Sequence, residues 1–325
     1  MVAIGLAIAL YFVRRHQPPR AAQLLPPSNG AFYVDVELLR KAGVFDRNHP
    51  VQRDPDFEQF VRETGFDFER DLDDAAFALH NPANFSRGDD YPRFSEVFIG
   101  RLDPKRCGDY LRKLSSGTEQ YLGETIYVIP HEGRTVRAVV LDERTAAASN
   151  TETPDAMHAM IDEWHGAHRP STLLDAYYRQ IPIGSIAWFV GQVAPPLPQT
   201  GAGLVTPSWL RDIAAGSTVV ASLRFVTQLE LRVTAYTPSE ADANRIAQST
   251  NSWLAVFRAL QQNFQTSGTD PDVKAAFDSI RVDQQPGKVL LSADVPVGAL
   301  KKIAAEPPAM NAPEQPKAAP PAKKK

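Results

Sequence analysis

Between Gln228 and Tyr236 the chain alternates strictly. Leu229, Leu231, Val233 and Ala235 are interleaved with Glu230, Arg232 and Thr234. A period of two places one set on a buried face and the other in water, the pattern of an antiparallel strand. The preceding run, Thr218–Phe225, has the same character, and the pair reads as a hairpin. A second hairpin is predicted from Thr125–Pro130 and Thr135–Leu141, turned at His131-Glu132-Gly133-Arg134. Further strands are expected at Ala31–Val36, Ala75–His80, Arg93–Leu102, Ser185–Val193 and Lys288–Val295.

Elsewhere the period lengthens. Ile246, Thr250, Trp253, Phe257, Leu260 and Phe264 recur every three or four residues, giving a one-sided helix that begins near Thr237. Helix starts are marked by one device, an Asp or Thr followed by Pro, at 54–55, 103–104, 153–154, 206–207, 237–238 and 270–271. The side-chain oxygen accepts from free N–H groups of the first turn, and Pro wastes no donor there. Thr237-Pro238-Ser239-Glu240 reads as a capping box. Gly65, Gly117 and Gly166 are read as helix stops, and a further helix is expected over Ser171–Gln180.

These elements define an α+β protein with antiparallel sheet covered by helices on one face. The first four helix starts lie about 50 residues apart, and helix-strand-strand units follow three of them, so a repeated unit is open on spacing alone. The domain reading is an apolar N-terminal segment at 1–16, a Pro-rich spacer at 17–27, a body at 28–303 whose two halves would meet near 166–184, and an Ala/Pro/Lys tail at 304–325 expected to be disordered.

Met1–Val13 is apolar throughout and is followed by Arg14, Arg15 and His16. As a helix it would rise only ~20 Å against a bilayer core of ~30 Å. It also lacks the basic lead-in of a secretory signal. We therefore read it as the end of a truncated membrane anchor. The flanking arginines favour a cytoplasmic body by the positive-inside rule.

Composition narrows the classes. With a net charge of -3 over 325 residues, the chain has no basic stripe, and no nucleic-acid partner is expected. A single cysteine excludes an internal disulfide framework and a CxxC centre. His158, Asp162 and His165, spaced four and three apart, share a helical face and form the candidate metal site, with zinc as the cofactor it would take. His168 follows in a loop. Cys107, near a helix start beside Lys105 and Arg106, is the candidate reactive thiol. The acidic run Asp67–Asp74 lacks the Gly and distal Glu of a calcium loop and reads as a polar turn. Arg87-Gly88-Asp89 and Gly201-Ala202-Gly203 are too short to carry a function.

Four stretches carry a resemblance: the opening of the body, Leu24–Arg40 (LLPPSNGAFYVDVELLR), then Gly65–Leu72 (GFDFERDL), Gly100–Asp103 (GRLD) and Tyr121–Tyr127 (YLGETIY). Together they resemble membrane-anchored bacterial proteins of unknown function, of the acidobacterial kind, over about residues 24–300. The resemblance implies an extracytoplasmic, periplasmic body and supplies no catalytic residue. The expected function is a membrane-anchored binding or scaffold module, held to the membrane through residues 1–13 and meeting an envelope protein. The alternative is a metal-dependent hydrolase using the His158/Asp162/His165 face.

Overall fold

The computed structural model describes residues 17–43, 55–80, 93–167, 172–193, 216–225, 228–263, 271–296 and 298. The N-terminal apolar segment, the tail, Asp54, His168, the RGD tripeptide, the helix start at Thr206 and the 201–203 glycines lie outside them.

A twelve-stranded antiparallel sheet organises the chain. In the first half the order of elements is α1 (Arg20–Gln23), β1 (Gly30–Asp35), α2 (Val36–Lys41), α3 (Pro55–Thr64), α4 (Phe68–Asp71), β2 (Leu72–His80), β3 (Arg93–Gly100), α5 (Pro104–Leu114), β4 (Gly117–Tyr121), β5 (Glu124–His131), β6 (Arg134–Val140) and β7 (Thr145–Ser149). Two helices, α6 (Asp155–Trp164) and α7 (Thr172–Tyr177), lead to the second half: β8 (Ser185–Gln192), β9 (Thr218–Phe225), β10 (Leu229–Tyr236), α8 (Glu240–Asn263), α9 (Pro271–Asp278), β11 (Arg281–Gln285) and β12 (Lys288–Val295).

Strand order across the sheet is β11-β12-β10-β9-β8-β1-β2-β3-β7-β6-β5-β4. Outward from the central pair β1/β8, each half runs first, second and third strand, then a hairpin whose second strand lies inside its first. The first half differs by one inserted hairpin, β6–β7, between β3 and β5. The two halves thus share a topology and meet in backbone pairing, with Gly30 opposite Gly191 and Tyr33 opposite Trp188.

The α+β class and antiparallel pairing match the pattern of the sequence. Helices cover both faces, and the alternation explains why. On one face a row of directly paired residues runs Val139, Ala147, Val97, Ala76, Tyr33, Trp188. These belong to the main core together with Met157, Met160 and Ile161 of α6 and Leu173 and Leu174 of α7. The opposite face carries Val34, Ala75, Phe77 and Phe98, which pack with Phe60, Phe66 and Phe68 from the α3–α4 region. Farther along that second face, Val219 and Val289 lie beneath Ala243, Ile246 and Ala247 of α8. Strands that are apolar on both sides need cover on both sides.

The Pro-rich segment is not a free spacer. Its prolines bracket AAQLL, and Ala21, Ala22, Leu24 and Leu25 are buried in the main core. The prolines set the ends of a short helix, with the Gln23 N–H donating to Pro19 O at 3.0 Å, and five largely apolar residues dock on β1–β3. Burial of each leucine is worth about 2 kcal/mol, which outweighs the preference of the prolines for extended chain.

Capping is partly as expected. Asp103 Oδ1 accepts from the Arg106 N–H at 3.0 Å, and Gly65 adopts φ +76° after α3. At α6 the Thr153 hydroxyl instead donates to the Asp155 carboxylate, and the helix starts at Asp155 with no side-chain cap. At α8 the box sits two residues later: Ser239 Oγ accepts from the Asp242 N–H at 3.1 Å and donates to its carboxylate at 2.7 Å. Thr237 is drawn away to the β11–β12 turn, donating to Gly287 O. Gly117 opens β4 rather than stopping α5.

Candidate ligand pocket

Three cavities stand out among the described residues. The largest, about 600 Å³, lies on the outer surface of α3 and α5. Its charges already satisfy each other: Lys113 pairs with Glu63 at 2.6 Å and Arg112 with Asp109 at 2.7 Å. A second, about 380 Å³, is a polar surface cleft between the β5–β6 turn and the segment after β7. The third, about 360 Å³, differs in kind, because it opens onto the sheet at the junction of the two halves.

Gln17, Pro18 and Pro19 form one wall of this third pocket. The opposite wall is Tyr178, in the 3₁₀ turn Tyr178–Gln180, with the Ile181–Ser185 loop. Tyr33 and Trp188 are its floor, and Asp35 and Leu38 stand at its edge. Three local rules build it. Residues i, i+2 of a strand share a face, so Tyr33 and Asp35 project together from β1. Register puts Trp188 opposite Tyr33, with ring centroids 5.5 Å apart and planes 22° from parallel. Tyr178 meets the same indole edge-on at 5.6 Å and 73°. Such ring pairs add about 0.5–1.5 kcal/mol each beyond burial, which holds the floor rigid.

Two carboxylates lie beside the floor. Asp35 ends β1 and caps α2, accepting the Leu38 N–H at 2.7 Å. Directly opposite it on β2 is Asp74, which accepts the Tyr33 hydroxyl at 2.5 Å. Burial pushes the Asp35 carboxyl up, partly offset by the Leu38 N–H, and Asp74 adds to the rise. Asp74 is also raised, first by burial and then by Asp73 and Glu37, against the Tyr33 hydrogen bond. Burial and the two aspartates lift Tyr33 far above the ordinary phenol range, and burial alone pushes Tyr178 up to about 12. Nearby cations are engaged elsewhere: Lys41 with Glu37 at 2.8 Å, and Arg144 with Asp73 at 2.9 Å. Trp188 is 2% exposed, and its indole N–H has no hydrogen-bond partner among the described residues.

The sites expected from the sequence resolve differently. Asp162, His158 and His165 do share the α6 face, but they are engaged by β4 and β5 rather than by a common centre. His158 stacks on Tyr121 at 3.8 Å, whose hydroxyl donates to Asp162 Oδ1 at 2.9 Å, while exposed His165 lies 3.3 Å from Glu124. Among the described residues no group of three or more His, Cys, Asp or Glu side chains is arranged to hold a metal ion. The face fastens α6 to β4 and β5. Cys107 is buried, and burial drives its thiol up, outweighing the pull from the helix start and Arg106. That is opposite to the activation expected from its position. The acidic run is structural: the Asp71 carboxylate, although partly desolvated, is held below the usual range by Arg70, the Asp67 N–H and Arg101. Of that run, only Asp74 reaches the pocket's surroundings. The pocket residues themselves were invisible to motif reading, since they come from separate elements. The one signal was Asp35 in an otherwise apolar strand, FYVDV.

No family model matches this chain, and no curated protein matches it. Two solved structures, crystal forms III and IV of TP0453, are similar to it. Each is 7% identical, with 89% of this chain and 98% of that chain covered, at TM-scores of 0.41 and 0.39.

Proposed function

We propose that the protein is a membrane-anchored, extracytoplasmic binding module that holds a small ligand in the pocket walled by residues 17–19. The carrying observation is the pocket's construction. Stacked aromatic rings and a carboxylate line a volume within the ~300–1,000 Å³ range of small-molecule sites, and Trp188, whose buried indole N–H is unmatched among the described residues, is one of the lining residues. The wall lies immediately after the apolar segment, so binding and anchoring would be mechanically adjacent. Anchoring itself rests on residues 1–13, which are outside the described part. No helix among the described residues is long and apolar enough to cross a membrane.

The test is a fragment screen by ligand-observed NMR on the full chain and on Leu38→Trp. Leu38 is 44% exposed at the pocket's edge, so the larger ring obstructs the opening without disturbing the core. Fragments that bind the wild type and are lost in the variant support the reading. If every binder is indifferent to Leu38→Trp, the pocket reading fails. Protease treatment of intact spheroplasts tests the location: cleavage of the body supports an extracytoplasmic face, and complete protection removes it.

A further inference from the structure

Building on the pocket reading above, we infer that the ligand is a small organic ammonium compound carrying an oxygen acceptor close to its charged nitrogen, of the amino-alcohol or amino-amide class. Two independent features meet in the site. The first is a pair of carboxyl groups without an ion pair among the described residues. Asp35 and Asp74 face each other across β1 and β2, and like charges directly opposite one another repel. Among the described residues neither has an ion pair. Lys41, Arg40 and Arg144 are committed to Glu37 and Asp73. An ammonium group beside Asp35 would relieve this repulsion in a partly dry setting, where a charge-assisted hydrogen bond is strongest. Of the lining rings, Tyr178 is only half-buried, and it supplies the electron-rich surface that favours a cation over an anion.

The second feature is the indole N–H of Trp188. It is a donor only, it is buried without a partner among the described residues, and leaving such a donor unmatched is unfavourable. A ligand oxygen is the natural complement. The donor and the carboxylate lie on neighbouring strands of the same face, Trp188 opposite Tyr33 and Asp35 two residues on. Both residues line the pocket, so one ligand can lie against both. An anionic ligand would be repelled by Asp35 in the lining and by Asp74 opposite it on β2, and a purely apolar one would leave the indole donor and the Asp35 carboxylate as they are.

The experiment uses the full chain and three matched probes: ethanolamine, neutral ethylene glycol and anionic glycolate, followed by calorimetry and ligand-observed NMR. Ethanolamine is expected to bind, with the other two weaker by about tenfold or more. Asp35→Asn keeps the α2 cap, because Asn caps as well as Asp. It should weaken ethanolamine about tenfold while leaving the thermal midpoint near wild type. Trp188→Phe keeps a ring in the stack and should also weaken it. Leu38→Arg serves as a second route, since a tethered guanidinium beside Asp35 should compete with ethanolamine. The inference is overturned if ethylene glycol or glycolate binds as well as ethanolamine, if Asp35→Asn binds ethanolamine unchanged, or if ethanolamine fails to bind at all. If Leu38→Trp still abolishes the binding of neutral or anionic fragments, the pocket stands and only the ligand class falls. If no fragment is sensitive to Leu38→Trp, both readings fall.

Discussion

Glu96 should make the protein less stable as pH rises through neutrality. It lies on β3 directly between Phe77 of β2 and Ala148 of β7, with Phe94 and Phe98 on the same face. No ion pair reaches it among the described residues, and burial alone pushes its carboxyl up to about 7 from an ordinary 4.5. The sign follows from linkage. Between 4.5 and about 7 the folded protein holds a proton that the unfolded chain has lost. Stability from this group is therefore complete below 4.5 and is lost as pH climbs through 7. Such a displacement corresponds to about 3 kcal/mol, and because Glu96 keeps some contact with water, about 2 kcal/mol is the working figure. Glu96→Gln replaces the carboxyl with an uncharged group of the same shape. The assay is urea denaturation of both proteins at about pH 4 and about pH 8. The variant should match the wild type at the lower pH and be about 2 kcal/mol more stable at the higher, with an unchanged m value. A gap of equal size at both pH values would refute the reasoning, as would no gap at pH 8. The first outcome would mean that the substitution acts through packing, the second that the carboxylate is well solvated or paired.

Other expectations follow from the same contacts. Ser239→Ala should cost about 1 kcal/mol by removing the cap of α8, whereas Thr237→Val, which loses only the hydroxyl bonds to Ser239 O and Gly287 O and no cap to a helical N–H, should leave helicity unchanged; far-ultraviolet dichroism with thermal melts separates them. Leu24→Ala should destabilise by about 2–5 kcal/mol in urea titrations, a loss that a free spacer would not show. Cys107 in the folded protein should react with an alkylating reagent at neutral pH more slowly than a model thiol and reach full rate only in denaturant; fast labelling of the native state would contradict its buried position. Metal analysis of the purified protein should return the same content for the wild type and for His158→Ala with His165→Ala, since the two rings are held by separate partners.

Much of the fold could be read because it depends on local periodicity. The alternation in Leu229–Tyr236 and the Thr218–Phe225 run gave a hairpin found at those residues, and Lys288–Val295 emerged with the same limits. Three strands escaped notice for physical reasons. β4 (GTEQY) and β11 (RVDQQ) are the two edges of the sheet, mostly polar and each with a single apolar residue, Tyr121 or Val282, packed on a core, so too few apolar positions recur to show alternation. β7 (TAAAS) is interior but built of alanine, a poor strand former in isolation, whose small side chains suit the crowded place between β3 and β6.

The sequence by itself determined where the chain turns, which residues could cap, and that the sheet would be antiparallel, because each depends on neighbours a few residues away. Tertiary structure decided the rest. It drew Thr237 off a helix start and buried a proline-flanked segment that reads as a spacer. It raised the thiol of Cys107 instead of activating it, because burial there outweighs the helix start. The pocket is the clearest case. Tyr33 and Trp188 lie far apart in sequence, Asp74 belongs to an acidic run that reads as a turn, and Tyr178 sits in a turn of no motif. Strand register sets Tyr33, Asp74 and Trp188 on one face, and the fold brings Tyr178 against Trp188 from its turn; register is fixed by long-range pairing that no local pattern encodes.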